Sequence, residues 1–349
     1  MTKRLSMDNV PVYLGTDPEA FVFNKKTGKP VPAHRLGFPD KTTKRPVACG
    51  LIFRDGYALE FNLTTAFSCR GAMLNIVRNM YREITRQLAP EHELRTTPAV
   101  LVDISDFDDA PKDVLELGCD PSHNAYTDEE TSVVVDPILH PYRYAGGHLH
   151  FSASELSFYA RASLPDPWIY TQECRNRFVK LCDLYIGIPL TVIFNNPETF
   201  LRRRYYGRAG DYRFQRYGET GPGTGMYVYT GIEYRTPGPE VWNHPSLASM
   251  VFGVGKTLFT QMEDLWEKYP VGMEDFIQNA INTGEGAERF LQVLKDWYTP
   301  DIIMDIARRK LFSAFELPAI RYELHAGWYE WAVMNLTAGL AEGNVKFHV

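Results

Sequence analysis

One stretch of the chain, residues 231–237, has the sequence Gly-Ile-Glu-Tyr-Arg-Thr-Pro and alternates in the pattern of a β-strand. Successive side chains of a strand point to opposite faces, so Glu233 and Arg235 leave the same face of the predicted sheet. A carboxylate and a guanidinium placed in this way can form a simple salt bridge. They can also act together, with the glutamate holding a metal ion and the arginine holding an anion that the metal serves. The motif by itself leaves both interpretations open.

Three further segments carry acidic or histidine side chains on predicted strands or turns. Their sequences are Gly-Thr-Asp-Pro-Glu at 15–19, Asp-Gly-Tyr-Ala-Leu-Glu-Phe-Asn at 55–62 and Ala-Gly-Gly-His-Leu-His-Phe-Ser at 145–152. Each has a structural alternative, because Asp-Pro opens turns, an alternating carboxylate can face solvent, and a histidine can be a satisfied core residue. Paired glycines ahead of two histidines let the backbone approach a ligand closely, which favours a site in the third segment. The candidate metal ligands in the four segments are Asp17, Glu19, Glu60, His148 and Glu233.

The donor types in these segments indicate which metal to expect. A His-x-His pair with carboxylates from other strands is compatible with zinc. However, carboxylates outnumber histidines here, and the segments contain no cysteine. Oxygen-rich sites suit Mg²⁺ or Mn²⁺, which typically bridge phosphate oxygens, and we therefore expect one of these ions.

Arginines are concentrated between residues 201 and 213, where five of them accompany one acidic residue. Arginine binds phosphate through a bidentate fork, although a solvated basic loop and a nucleic-acid patch are alternatives. The net charge of −6 disfavours nucleic acid as a partner. Together with the metal ligands and a glycine-rich lid predicted at 218–225, the arginines suit phosphoryl transfer from a nucleoside triphosphate. Neither a P-loop nor a kinase His-Arg-Asp signature is present.

The composition limits the remaining possibilities. A chain of 349 residues, 44% of them hydrophobic, can bury a large core. Its five cysteines are scattered without a Cys-x-x-Cys pair, which predicts neither a disulfide framework nor a structural zinc site. The amino terminus lacks an apolar signal region, and no apolar run is long enough to cross a bilayer. We expect a soluble cytoplasmic protein without membrane partners.

The hydrophobic periodicity predicts an α+β protein. Strands are predicted over 20–24, 57–63, 100–104, 132–135 and 148–152. Helices are predicted over 66–88, 171–184, 245–266, 273–282, 285–297, 300–310 and 328–340. Residues 189–194 fit either a strand or a short buried run. The expected organisation is a sheet-rich catalytic body over 1–243 and a helical C-terminal part over 244–349, packed on the same domain.

Six motifs in this order resemble the glutamine synthetase-like carboxylate–amine ligases, and they are most similar to the phage-type branch of that family. The motifs are GTDPEAF (15–21), DGYALEFN (55–62), LGCDPSHNAYT (117–127), AGGHLHFS (145–152), RYYGRAGDYR (204–213) and GIEYRTPG (231–238). They extend over about two-thirds of the chain. The resemblance implies a curved antiparallel sheet flanked by helices, whose concave face holds ATP and two or more divalent ions.

The resemblance also implies roles for individual residues. The implied metal ligands are Asp17 and Glu19 of the first acidic strand, Glu60 of the second, His148 and Glu233. The implied contacts to ATP are Arg204, Arg208, Arg213 and His150. Glu233, Arg235 and Arg213 are expected to be catalytic, with Arg235 reaching phosphate or an acyl phosphate. Asp120 and Asn124 match a family motif whose role is open between substrate and metal.

The implied activity is ATP-dependent formation of an amide through an acyl phosphate, from small-molecule or peptide carboxylates and amines. The chain departs from glutamine synthetase because it has no recognisable amino-terminal β-grasp domain and carries Asp-Pro-Glu where that enzyme has Glu-x-Glu. Its substrates are therefore left open. Two alternatives remain, which are phosphoryl transfer to an amine or guanidino group and an inactive binding or assembly protein. A phage-encoded enzyme of this type is expected to act in the host cytoplasm.

Overall fold

The computed structural model describes residues 12–47, 50–63, 67, 70–115, 121–132, 135–136, 139–154, 169, 171–217, 229–243 and 245–289. Over these residues the chain is an α+β protein built from antiparallel sheets and helices. None of the described helices is both long and apolar enough to cross a membrane. Of the cysteines, Cys174 and Cys182 are described, and both are free thiols.

In the described part of the chain, the first sheet has six strands, and each neighbouring pair is antiparallel. In spatial order they are β1 (Val12–Gly15), β12 (Leu149–Ser154), β14 (Tyr229–Tyr234), β13 (Asp211–Tyr217), β9 (Ser122–Asn124) and β10 (Glu129–Thr131). Strand alternation gives this sheet two different faces. One face carries apolar side chains, including Leu149, Phe151, Ile232 and Tyr234, which belong to the largest hydrophobic cluster. The other face carries His148, His150, Glu233 and Arg235.

The strands of the second sheet lie between residues 19 and 95 and carry the acidic residues Glu19, Asp55 and Glu60. Its strands are β3 (Pro30–Val31), β2 (Glu19–Asn24), β6 (Ala58–Leu63), β5 (Gly50–Asp55) and β4 (Arg45–Val47), with β7 (His92–Arg95) also paired to β2. A separate two-stranded sheet joins β8 (Ala99–Leu101) to β11 (Tyr142–Tyr144). The predicted antiparallel arrangement is confirmed for these described strands.

Helices cover the apolar faces of the sheets. They are α1 (Arg70–Gln87), α2 (Lys112–Leu115), α3 (Gln172–Cys182), α4 (Ile188–Ile193), α5 (Pro197–Tyr205), α6 (Pro245–Thr260), α7 (Met262–Trp266) and α8 (Glu274–Thr283). Shorter turns of 3₁₀-helix occur at Ala33–Leu36, Ile104–Phe107 and Pro239–Asn243, and a π-helical turn, Asp183–Gly187, connects α3 to α4.

The spacing of apolar residues explains where these helices pack. In α1, Val77, Met80 and Ile84 recur at helical intervals and contribute to the core of the second sheet. Phe178 of α3 and Phe252 of α6 instead pack against the apolar face of the first sheet. Because the first sheet and α6 share one core, the polar face of that sheet is the face left for a site.

The structure corrects three of the predicted elements. Residues 189–194 were predicted as a strand or a short buried run. The run is largely buried, but the strand alternative is wrong, because Ile188–Ile193 form helix α4, which continues α3 through the π-helical turn. An apolar run buried on all sides has no periodicity that distinguishes strand from helix, and Pro189 is compatible with a first helical turn. The strand predicted over 100–104 ends at Leu101, because Asp103 caps the following 3₁₀-helix. The helix predicted over 245–266 is interrupted at Gln261.

Other predicted elements can be only partly compared with the structure. The helices predicted over 300–310 and 328–340 lie outside the described residues, as does the helix predicted over 285–297 beyond residue 289. The strand predicted over 132–135 includes residues 133–134, which are also outside the described part. The remaining predicted strands and helices are present, with ends displaced by a few residues.

Candidate metal and phosphate site

The first acidic motif, residues 15–19, lies where the chain passes from the first sheet to the second. Strand β1 ends at Gly15 in the first sheet, and β2 begins at Glu19 in the second, so Asp17 lies at the junction. The junction is tied to the glycine-histidine segment, because Thr16 Oγ1 donates to the carbonyl of His148 at 2.7 Å. The amide of Gly146 also donates to Glu19 Oε2 at 2.8 Å. Residues from two sheets are therefore held at one place.

Strand register brings three other predicted residues side by side. His150 is paired with Glu233 across β12 and β14, and Glu233 is paired with Arg213 across β14 and β13. Gly15 is the partner of His150 on β1. Side chains directly opposite one another in antiparallel strands lie on the same face, with Cβ atoms about 5 Å apart. The pairing thus assembles a histidine, a carboxylate and a guanidinium in one row.

Asp17, His148, His150 and Glu233 form a group that we call the histidine cluster. Asp17 Oδ1 lies 3.0 Å from His148 Nδ1 and 3.1 Å from His150 Nε2. His148 Nδ1 is 3.4 Å from Glu233 Oε1. Ligand atoms of Asp17, His150 and Glu233 all lie within 4.8 Å of one another, a separation that one cation can bridge.

Glu233 is fully buried and surrounded by donors. Arg235 Nε and Arg213 Nη1 lie 3.4 and 3.6 Å from its Oε1, and Gln215 donates a hydrogen bond to its Oε2. Even so, Oε1 has no hydrogen-bond partner among the described residues. Buried carboxylate oxygens are normally satisfied, so an oxygen left in this state fits a cation ligand. Glu233 is near two guanidiniums, but its Oε1 receives no hydrogen bond from them, which distinguishes this arrangement from a simple salt bridge.

A second group, which we call the carboxylate cluster, consists of Glu19, Asp55 and Glu60. Glu19 and Glu60 are direct partners across β2 and β6, and ligand atoms of all three residues lie within 4.8 Å of one another. Asp55 also forms an ion pair with Lys41, with Nζ and Oδ1 2.7 Å apart. Three carboxylates at this separation repel one another unless a proton or a cation is shared among them. Oxygen donors alone are the ligand set that Mg²⁺ and Mn²⁺ prefer.

The repulsion is visible in the acid–base properties of this cluster. Burial, followed by the negative charges of Asp55, Asp17 and Glu19, raises the pKa of Glu60 well above its ordinary value. Burial also raises the pKa of Glu19, although His148 and the Gly146 amide act in the opposite direction. A divalent cation would replace the shared proton and relieve the same repulsion.

In the histidine cluster, by contrast, neighbouring groups favour the charged forms of the side chains. Burial acts to raise the pKa of Asp17, but His148 and His150 outweigh it, and the pKa lies well below its ordinary value. Burial acts to lower the pKa of His150, but Asp17 and then Glu233 outweigh it, so this pKa is raised. Asp17 is therefore kept ionised, as a cation ligand must be.

The predicted arginines separate into different roles. Arg235 is adjacent to Glu233, as alternation along one strand predicts, whereas Arg213 is brought next to Glu233 by the pairing of β13 with β14. Arg208 Nε faces Asp211 Oδ2 at 3.8 Å, and Arg204 is exposed in the last turn of α5. Neither of these two forms a hydrogen bond or ion pair with Glu233 in the part of the chain that the structure describes.

Two other arginines of the same run stabilise the fold instead. Arg202 donates to the carbonyls of Thr236 and Arg235, at 2.9 and 3.0 Å. Arg203 donates to Thr191 Oγ1 and to the carbonyl of Ile281. Both side chains are almost completely buried. Counting arginines in the sequence does not reveal this division, because it depends on which carbonyls the folded chain brings near.

We expect Arg202→Met to destabilise the protein by about 3 kcal/mol, because two buried carbonyls lose their donors. The measurement is the free energy of unfolding in urea. Arg204→Met is the matched control, since Arg204 is exposed on the same helix, and its effect should be within about 0.5 kcal/mol. Equal stability of the two variants would contradict the structural role of Arg202.

Two residues of the site were not found by sequence reasoning. Asp55 is the last residue of β5, and although it belongs to the 55–62 segment, it was not predicted to be a ligand. It nevertheless lies diagonally across from Glu60, because Phe53 and Glu60 are direct partners. Tyr206 was also missed, although its hydroxyl lies 2.5 Å from His148 Nε2 and 3.3 Å from Glu19 Oε1. No periodicity identifies Tyr206, since it lies in the loop after α5.

The remaining predictions concern residues 117–127 and the glycine-rich lid. Asn124 donates to Asp211 Oδ1 and to the carbonyl of Ala209, and it accepts from the amides of Tyr126 and Thr127. These bonds give Asn124 a structural role in joining β9 to β13. Asp120 and residues 218–225 lie outside the described residues.

No protein-family model matches this chain, and no match was found among curated proteins. The geometry of the site is therefore the basis for a functional assignment.

Proposed function

We propose that this protein is an ATP-dependent carboxylate–amine ligase with a glutamine synthetase-like catalytic sheet. The observation that carries the proposal is the junction of two metal-capable clusters on one side of the sheets. The histidine cluster and the carboxylate cluster meet at residues 16–19, and Arg213 and Arg235 lie beside the shared face. Two divalent ions with arginines next to them are the requirements of phosphoryl transfer.

The donor sets fit Mg²⁺ or Mn²⁺. Asp17, His150 and Glu233 would hold one ion, with His148 beside them, and Glu19, Asp55 and Glu60 would hold the other. Bound there, the ions would supply charge neutralisation between the phosphates and the substrate carboxylate. The pKa of Asp17, which is well below its ordinary value, supports a ligand that stays ionised.

The chain's own residues then have distinct tasks. Arg235 and Arg213 stabilise negative charge on the phosphoryl group in transfer, since their guanidiniums are positioned before the reaction. His150, Arg204 and Arg208 are proposed contacts to ATP. An oxygen of the substrate carboxylate bonds to the γ-phosphorus as the bond to ADP breaks, and an acyl phosphate forms. The amine nitrogen then attacks the acyl carbon and loses a proton, phosphate leaves, and an amide remains.

The test is a titration of ATP with Mg²⁺ into the protein, followed by ADP release against a panel of amino acids and peptides. We expect ATP to bind only when the divalent ion is present. The active carboxylate–amine pair should yield an amide and free phosphate by mass spectrometry. A stable phosphoramidate would replace the ligase assignment by phosphoryl transfer to an amine. Failure to bind ATP with Mg²⁺ would contradict both activities and leave a binding or assembly role.

A further inference from the structure

We propose that Tyr206 is the positioning residue that connects the two cation clusters. This inference rests on the proposed function, because it concerns how the metal ligands are held. The Tyr206 hydroxyl lies 2.5 Å from Nε2 of His148, which belongs to the histidine cluster. The same oxygen lies 3.3 Å from Oε1 of Glu19, which belongs to the carboxylate cluster. One hydroxyl therefore reaches a ligand group in each cluster.

The ring of Tyr206 is held firmly enough to act in this way. The guanidinium carbons of Arg202 and Arg235 lie 4.5 and 4.9 Å from its ring centroid, within the range of cation–π attraction. Arg202 is itself anchored on the carbonyls of Arg235 and Thr236. The ring also meets that of His148 edge-on, with centroids 5.5 Å apart. Tyr206 thus has little freedom to turn away from the site.

The backbone after Tyr206 is adapted to this close packing. Gly207 has a φ of 66°, a conformation that favours glycine. A Cβ at this position would lie 2.5 Å from Arg202 Nη1 and 2.6 Å from the carbonyl oxygen of Arg235. A larger residue would push Arg202 away from the tyrosine ring. The turn from α5 to β13 is therefore built to hold Tyr206 in place.

The contacts of His148 define what the hydroxyl does. The Tyr206 hydroxyl donates to Glu19 Oε1, so its oxygen can accept a hydrogen bond from Nε2 of His148. A hydrogen on Nε2 leaves Nδ1 as the His148 atom that would bind a cation, and Nδ1 faces the carboxylate oxygens of Asp17 and Glu233. In this arrangement the hydroxyl bonds to one group of each cluster at the same time, because it both donates and accepts.

Both clusters therefore depend on Tyr206, although Tyr206 is not a cation ligand in either of them. Glu19 has Oε2 fixed by the Gly146 amide and Oε1 facing Tyr206, so the tyrosine completes the orientation of that carboxylate. The orientation of His148 is completed in the same way from its Nε2 side. Hydrogen bonds that orient metal ligands typically change metal affinity by about 10- to 100-fold.

The experiment compares Tyr206→Phe with wild type by Mn²⁺ titration in the absence of ATP, with free Mn²⁺ followed by electron paramagnetic resonance. Phenylalanine keeps the ring and its contacts with the arginines and removes only the hydroxyl. We expect two bound ions in wild type and a loss of at least about tenfold in affinity for both in the variant. The control is Tyr212→Phe. The hydroxyl that it removes is buried and donates to Asn176 on the opposite face of the first sheet. The Mn²⁺ affinities of this variant should match those of wild type.

A second readout separates positioning from general loosening of the fold. In metal-free protein labelled with ¹⁵N-histidine, the Nε2 signal of His148 should shift in Tyr206→Phe and not in Tyr212→Phe. Unchanged Mn²⁺ affinities in Tyr206→Phe, a loss at one cluster alone, or no Mn²⁺ binding by wild type would overturn the inference. If wild type binds two ions and Tyr206→Phe weakens both, but no ATP is consumed, the proposed function fails and the inference stands.

Discussion

Glu233→Gln is expected to lower ATP turnover by at least about a hundredfold while the protein remains folded. Glutamine has the same shape as glutamate, but it has no negative charge and replaces one carboxylate oxygen by an amide donor. In the wild type, Glu233 Oε1 faces His148, Arg235 and Arg213 at 3.4 to 3.6 Å. Removing the charge withdraws the proposed metal ligand and leaves the two arginines without the carboxylate that they face.

The measurement is the rate of ADP release, with thermal unfolding and circular dichroism as checks on the fold. Glu129→Gln is the matched control, because it makes the same chemical change at an exposed position of the same sheet. The control should turn over ATP at the wild-type rate. Normal turnover by Glu233→Gln would exclude the assigned site, whatever other activity the protein has.

Asp183→Asn is expected to change how the free energy of unfolding depends on pH. Asp183 lies on the side of the first sheet opposite to Glu233. Asp183 is completely buried in the π-helical turn, where its Oδ1 accepts hydrogen bonds from Tyr234 at 2.6 Å and from Thr236 at 3.3 Å. Burial raises the pKa of Asp183 from its ordinary 3.8 to about 7, although these hydrogen bonds act in the opposite direction. The folded protein therefore keeps this carboxyl protonated where the unfolded chain has released the proton.

The sign of the effect follows from this difference in proton binding. Between about pH 4 and pH 7 the folded state binds one more proton than the unfolded state, so stability falls as the pH rises. The loss is about 1.4 kcal/mol for each pH unit, or about 4 kcal/mol across the interval. Below pH 4 the contribution of Asp183 to stability is fully present, and above pH 7 its loss is complete.

Asparagine mimics the protonated acid, so the unfolding free energy of Asp183→Asn relative to wild type should rise between pH 4 and pH 7. Urea denaturation at several pH values measures this difference directly. Asp108→Asn, at an exposed position, controls for the removal of one negative charge from the protein. A difference between Asp183→Asn and wild type that does not vary with pH would show that Asp183 is ionised in the folded state.

The elements of this protein were predictable from sequence where a local period determines the structure. Alternation correctly placed His148 and His150 on one face of their strand, and Glu233 and Arg235 on one face of theirs, because side-chain direction in a strand depends only on chain position. The spacing in α1 was likewise sufficient to predict that helix. The strand alternative was wrong at α4, where burial removes the contrast between polar and apolar faces that a period requires.

The candidate site could be predicted only in part. The sequence indicated which segments carry metal-capable side chains, but it did not indicate Asp55, whose closeness to Glu60 depends on hairpin register. It also did not indicate Tyr206, whose importance comes from a hydroxyl that meets two groups distant in the chain. Among the arginines, composition alone could not separate Arg202, which binds backbone carbonyls, from Arg213 beside Glu233.

The sequence by itself determined the faces of strands and helices, the oxygen-rich character of the ligand set and the order of the motifs. These properties follow from residue type and from the 2- and 3.6-residue periods of the backbone. Only the tertiary structure decided that His150, Glu233 and Arg213 form one row and that two clusters meet at residues 16–19. Register and the junction of sheets are long-range pairings, selected by burial of the apolar face of the whole sheet, and no local stretch of the chain contains them.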